Sequence, residues 1–371
     1  MSASRRFLSL AVILAVVGCL SPVVAQTPDK PATGEPAPRP LSDAVKAALP
    51  AVVTLKSTVP REARSARNLG TEREGHGVVI DDDGLVLTVG YLVLEANSVE
   101  IIENSGKRAS AMVVAFDNDS GFALVRTAIP LKVKPVAFGD SDTLKQRDAI
   151  VIAGAGGEDK LLRGLVADRR QFAGYWEYLL DNAIFTVPPY HHNWGGSALL
   201  DEQGALMGIG SLQVPDAYRG ARSFPGNMFI PINRLKPIFE TLKAGRRPDG
   251  AKPWIGITTH EARGRLIIAS VQPGSPAESA GLRRGDVVRS VGGTEVDSLA
   301  ELYSNLWKAG PSGSLGGGVA PPIPPLEQSM RSTPSCFSAV ARRTLSSTVQ
   351  PPSIQSVTER RNASGLCAGQ C

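Results

Sequence analysis

The sequence predicts a mainly β protein: a barrel or sandwich of many short strands, followed by a smaller unit that mixes strands with helices. Three observations carry this. Between Ala44 and Ala244, short apolar runs (AVVTLKS, GVVI, LVLTV, SVEIIE, SAMVVAFD, FALVRTA, AIVIAGAG and ALMGIGSL) alternate with Gly, Asp and Asn turns at close spacing, the pattern of a sheet closed or packed on itself. Between two of those runs lies Asp81-Asp82-Asp83-Gly84, a strong hairpin signal because glycine accepts the positive φ such turns need. The polar stretch RRPDGAKP, 246–253, then separates this region from a second unit that opens at Trp254. At 371 residues and 42% apolar content the chain is long enough to fill two cores.

In chain order, 1–25 has the build of an export signal: Arg5 and Arg6, then FLSLAVILAVVGCL, which is too short to span a bilayer, then Val23-Val24-Ala25 before a cleavage point. A rival scheme reads Val16-Val17-Gly18-Cys19 as a lipobox, with Cys19 lipidated and holding the protein on a membrane. An uncleaved anchor is the third. All of them place the body outside the cytoplasm, periplasmic or secreted. Residues 26–43, rich in Pro and Ala, read as a flexible tether. The unit 44–245 follows, with a closing helix predicted over RLKPIFETLKAG and Gly245 as its cap. Residues 254–313 form the second unit. From 314 to 371 Ser, Pro, Gly and Ala dominate without a sustained period, the composition of disorder.

Charge and cysteine content exclude several classes. The net charge of +5 is modest, much of it on the C-terminal tail, the basic residues are scattered and aromatic residues are few, so no nucleic-acid partner is expected. Besides Cys19 the cysteines are Cys336, Cys367 and Cys371, which leaves none in either folded unit for thiol catalysis or a cysteine zinc site. With four histidines and no third ligand at a telling spacing, neither a metal nor any cofactor is expected.

Three motif regions in the first unit resemble the HtrA family of trypsin-like serine proteases over roughly two hundred residues. The stretch GHGVVIDDDGLVLTVGYLVLEA keeps Gly75, Gly77, Gly84, Leu87 and Thr88 of the strand that leads to the family's histidine, but that position holds Tyr91. In Asp117-Asn118-Asp119-Ser120-Gly121-Phe122-Ala123-Leu124, Gly121 stands where the family has its aspartate. In His192-Asn193-Trp194-Gly195-Gly196-Ser197-Ala198-Leu199, Trp194 stands where it has its serine. The resemblance implies a double six-stranded β-barrel with degenerate triad positions Tyr91, Gly121 and Trp194 and no catalytic residue. A triad needs a hydroxyl nucleophile, an imidazole base and an orienting carboxylate. Indole has no nucleophile, a tyrosine with a pKa near ~10 is a poor base at neutral pH, and glycine carries no charge. Trp194 is also expected to fill the cleft, and Pro188 and Pro189 to redirect the N–H groups of an oxyanion hole. A relocated arrangement of Ser197, His191 or His192, and Asp181 is the enzymatic alternative; adjacent loop histidines in solvent are the bland one.

The second unit resembles a PDZ domain of the bacterial HtrA type. Trp254-Ile255-Gly256-Ile257 matches the carboxylate-binding loop and the start of the peptide-pairing strand, and SPAESAGLRRGDVVRSVGGTEV follows the family's helix, turn, strand and hairpin, with Gly281 and Gly285 at special φ values and Asp286 bracing the next strand. A helix over 298–308 forms the other wall, with Leu302 and Leu306 one turn apart facing groove or core. Such a module adds an extended peptide to a strand edge. A PDZ unit should end with two more strands where 314–371 offers none, so the domain is expected to be C-terminally incomplete and the tail reads as translated out of frame.

Together these features imply an exported pseudoprotease that binds peptides or unfolded protein C-termini in envelope quality control, with a divergent serine endopeptidase of rearranged site as the alternative and a decayed gene product as a third. A trimer follows from analogy with the family alone.

Overall fold

From Val52 to Pro231 the chain winds its strands into two closed barrels. A computed structural model describes residues 40–190, 194–220, 222–248 and 252–308 and the backbone of 317–320. Helix α1 (Asp43–Ala48) is capped by Ser42, whose hydroxyl accepts from Val45 N at 3.2 Å, and buries Val45 and Ala48. Then come β1 (Val52–Thr58), the short helix α2 (Ala66–Leu69), β2 (Glu72–Val79), β3 (Leu85–Val89), β4 (Ser98–Ile102), β5 (Arg108–Phe116) and β6 (Phe122–Thr127). They close in the order β1-β2-β3-β6-β5-β4, which leaves no free sheet edge. The β2–β3 turn is pinned by Asp81, whose Oδ1 accepts from Asp83 N at 3.0 Å and Leu85 N at 2.8 Å.

The second barrel comprises β7 (Ala149–Ala153), β8 (Leu161–Gly174), β9 (Tyr178–Val187), β10 (Ala198–Leu200), β11 (Leu206–Arg219) and β12 (Ser223–Pro231), closed in the order β10-β11-β12-β9-β8-β7. Ile150, Ile152, Val166, Ile184, Leu199 and Phe229 pack inside it. The closing helix is shorter than the sequence predicts. Two 3₁₀ turns occupy 232–238, and only α3 (Phe239–Lys243) is α-helical. Pro237 explains the break, since it lacks the N–H that a continuous helix would use.

The remaining sheet runs β13 (Ile257–Glu261), β14 (Leu266–Val271), β15 (Val287–Val291), β16 (Thr294–Glu295), with helices α4 (Pro276–Ser279) and α5 (Leu299–Lys308). Ser275 caps α4 by accepting from Glu278 N at 3.2 Å, and Asp286 Oδ2 accepts from Arg283 N at 3.0 Å ahead of β15. Leu302 and Leu306 both belong to this unit's core, with Leu266, Ile268, Val291 and Tyr303. The expectation that 314–371 contributes no strand is overturned by β17 (Gly317–Ala320), which pairs antiparallel with β15 from Val287↔Ala320 to Val291↔Gly317. A four-residue run of Gly-Gly-Val-Ala carries no alternation to read, yet its backbone satisfies the edge of β15. The predicted signal, Cys19, the tether before Pro40, the histidines His191 and His192, and the tail cysteines lie outside the described residues.

Candidate functional site

Tyr91 follows β3 in a 3₁₀ turn, Gly90–Leu92. The buried Arg73 fixes this turn, donating from Nη1 to the carbonyls of Tyr91 at 2.7 Å and Leu94 at 2.9 Å. The Tyr91 hydroxyl reaches the second barrel, where it donates to the Ser211 carbonyl at 2.9 Å. Burial pushes this phenol above its usual range. The hydroxyl also lies over Gly195, the residue after Trp194, leaving no room for a side chain there.

Gly121 closes the turn before β6. Its N–H donates to the Asp117 carbonyl at 2.8 Å and its own carbonyl accepts from Gly90 N at 2.8 Å, which ties it to the residue beside Tyr91. Its φ of 85° favours glycine. A Cβ there would stand 3.0 Å from both Tyr178 Oη and Ile230 Cδ1. Tyr178, on β9, donates to the Ser120 carbonyl at 2.9 Å, so a phenol crowds the place the resemblance assigns to a carboxylate.

Trp194 begins a tight turn in which Ser197 N donates to the Trp194 carbonyl at 2.9 Å and Gly196 N to the Gly210 carbonyl at 2.8 Å. Its indole meets the Phe229 ring edge-on at 5.7 Å and leans on Gly210, packing against the second barrel's inner cluster. Tyr91, Gly121 and the Trp194 turn are therefore brought together between the barrels. Asp181 is not: it accepts from Gln171 Nε2 at 2.7 Å on the outside of β9, and Ser197, though part of the turn, is fully buried with no hydrogen-bond partner for Oγ among the described residues. Beyond Pro188 and Pro189, Tyr190 N donates to Asn227 Oδ1 at 2.6 Å.

His76, which sequence reasoning passed over, lies beside the same turn. Its N–H donates to the Gly195 carbonyl at 2.7 Å, and its Nδ1 accepts from Ala155 N at 3.2 Å. Burial lowers its pKa to about 4, with Glu74 pulling the other way. The ring is thus neutral and faces the end of β7. The available signal was a histidine between Gly75 and Gly77 in a strand otherwise apolar toward its end.

In the second unit, Ile255, Gly256 and Ile257 present three successive N–H groups to one side, an anion-binding concavity of backbone. Gly256 is required here: φ is 83°, and a Cβ would press on Ser275. Partly buried Trp254 packs against the same glycine. Leu302 and Leu306, expected to face groove or core, are both buried in the core of this unit, and Leu179 of β9 joins their cluster.

The group that meets those N–H groups is Glu177, at the tip of the β8–β9 hairpin. Its Oε1 accepts from Gly256 N at 2.7 Å and Ile257 N at 2.8 Å, and its Oε2 from Ile255 N at 3.0 Å. Burial pushes the carboxyl up to about 7, against the downward pull of the three donors. Its oxygens accept in either protonation state. Glu177 adopts φ of 59°, a left-handed conformation that costs a non-glycine residue about 1–2 kcal/mol.

Two closed six-stranded β-barrels with a cleft turn between them, followed by a small sheet with a backbone carboxylate nest, define a trypsin-like peptidase domain joined to a PDZ domain, and residues 75–209 match the model of the trypsin-like peptidase domain while 253–314 match that of the PDZ domain. The chain is homologous to the HtrA-type serine proteases. It is 27% identical over 266 residues to the periplasmic pH-dependent serine endoprotease DegQ of Escherichia coli K12, covering 68% of this chain and 58% of that one. It is 29% identical over 275 residues to the serine protease Do-like HtrA of Lactococcus lactis subsp. lactis, covering 66% of each. To the periplasmic serine endoprotease DegP of E. coli K12 it is 27% identical over 246 residues, 62% of this chain and 51% of that one. The chain thus spans between about half and two thirds of the length of these relatives. Among the described residues no helix is long and apolar enough to cross a membrane.

Proposed function

We propose that this chain is an exported HtrA-like pseudoprotease, which binds peptides or unfolded protein C-termini through its PDZ groove without cleaving them, in envelope protein quality control. The observation that carries this reading is the content of the cleft. At the three positions that the resemblance assigns to a triad, the only hydroxyl belongs to Tyr91 and is committed to the Ser211 carbonyl, Gly121 has no side chain, and Trp194 packs into the second barrel. None of them attacks a carbonyl or takes up a proton at neutral pH. The backbone nest at 255–257, in contrast, depends on no side-chain chemistry and is retained. Export by the N-terminal signal, or anchoring through Cys19, would place the protein in the compartment that the names of DegQ and DegP give for those relatives.

The test pairs a binding assay with a turnover assay on the purified protein. Labelled peptides with free carboxyl ends are expected to bind, while casein and a peptide library remain uncut and a fluorophosphonate probe leaves no label, since only an activated serine reacts with it. Hydrolysis abolished by Trp194→Ala or His192→Ala, or fluorophosphonate labelling of Ser197, would establish the divergent endopeptidase instead.

A further inference from the structure

Three features let a groove of this kind take an extended chain: a loop of N–H groups for a carboxylate, an open strand edge, and a helix as far wall. In this protein one three-residue turn engages all of them. Glu177 fills the loop with three bonds of 2.7–3.0 Å. Two residues earlier, the Tyr175 carbonyl accepts from Thr259 N at 2.9 Å, on the edge of β13 that faces away from β14. That two-residue step is the one by which an added antiparallel strand meets its neighbour. From α5, Tyr303 donates to the Gly174 carbonyl at 2.7 Å and accepts from Glu177 N at 3.1 Å.

We infer that the hairpin tip Tyr175–Glu177 is an internal ligand of the PDZ groove, the Glu177 side-chain carboxyl standing where the terminal carboxylate of a peptide would sit, so that a peptide binds by displacing it. This rests on the peptide-binding reading above and adds its regulation. Tethering raises the effective concentration of the tip, so that modest contacts hold it in place. The left-handed φ of Glu177 points the same way. Glycine would suit that backbone better, but only a long carboxylate side chain reaches the nest. Apparent peptide affinity is then the intrinsic affinity scaled by the fraction of open groove.

The experiment uses the full chain and a Glu177→Gly variant, which removes the carboxyl while suiting the turn. Labelled decapeptides ending in Val, Leu or Phe, as free acids and as amides, are titrated against both, and amide exchange is followed at Ile255–Ile257 and Thr259. The variant is expected to bind the free acids about tenfold tighter or more than the wild type, with the amides weak throughout. Those four amides are expected to be protected in the unliganded wild type and to lose protection in the variant, while the barrel strands keep theirs. Should Glu177→Gly disturb the barrel, Tyr303→Phe serves in its place, with a gain of about fivefold from the loss of two hydrogen bonds. Equal affinity in wild type and variant, or fast exchange at 255–257 in the unliganded wild type, overturns the internal ligand and leaves peptide binding standing. No binding of free acids by either protein overturns the peptide-binding reading, and displacement with it.

Discussion

The turn between the barrels and the groove of the PDZ domain are built from different parts of the chain, side chains in the one and backbone in the other. Between the barrels, the three positions that the resemblance assigns to a triad serve the fold: Tyr91 ties one barrel to the other, Trp194 packs on Phe229, and Gly121 makes room for Tyr178. The groove works through backbone N–H groups, which no substitution other than proline removes. The molecule itself supplies a carboxyl to it. A site made of side chains is lost residue by residue, while one made of backbone persists as long as the fold does.

The largest effect is expected from placing a carboxylate between the barrels. Gly121→Asp should destabilise the barrels by about 4 kcal/mol, since it forces an L-residue into left-handed φ and presses its Cβ on Tyr178 and Ile230. Urea denaturation measures it, and a loss below about 1 kcal/mol would mean the position is not closed.

Next in size is a pair of opposed pH effects. His76, held at about 4 against 6.5 unfolded, contributes stability that is lost as pH falls from 6.5 toward 4. Glu177, raised to about 7 from 4.5, works in reverse: the folded form keeps a proton that the unfolded chain releases, so stability is lost as pH rises from 4.5 to 7. Each amounts to about 3 kcal/mol. They offset one another between about pH 4.5 and 6.5 in the wild type. Urea midpoints against pH should therefore fall with rising pH in His76→Gln and rise in Glu177→Gln. Flat profiles in both variants would show that neither group is buried as described.

The smallest effect sharpens the account of the cleft. Tyr91→Phe deletes the bond to the Ser211 carbonyl and should cost about 1 kcal/mol, with peptide affinity unchanged. A gain in stability would show that the hydroxyl is not satisfied there.

Most of the first barrel was legible because its strands are short, apolar and bounded by turn residues, as in the run through Asp81 and Gly84. Strands β8 and β9 were not. Their register shifts at Val166/Asp168 and Arg170/Phe172, and Arg170 is drawn inward over the Phe185 ring by its partners Asp168 and Asp216, so polar residues interrupt the period of two. In the site, the motif positions Tyr91, Gly121 and Trp194 could be placed by their neighbours, and the N–H loop by its glycine. His76 was passed over because its place between Gly75 and Gly77 marks a strand position but not the packing of the Trp194 turn against it.

Features set by neighbours along the chain can be read from residues alone: hairpins, caps, the left-handed glycines and the order of the two modules. Tertiary structure alone decided that Trp194 turns into the second barrel, that Tyr91 spans to Ser211 across 120 residues, and that Glu177 meets N–H groups 78 to 80 residues away. The reason is physical. A turn is fixed by local torsions, whereas a carboxyl finds its donors only after segments far apart in the chain have packed to bring them within 3 Å.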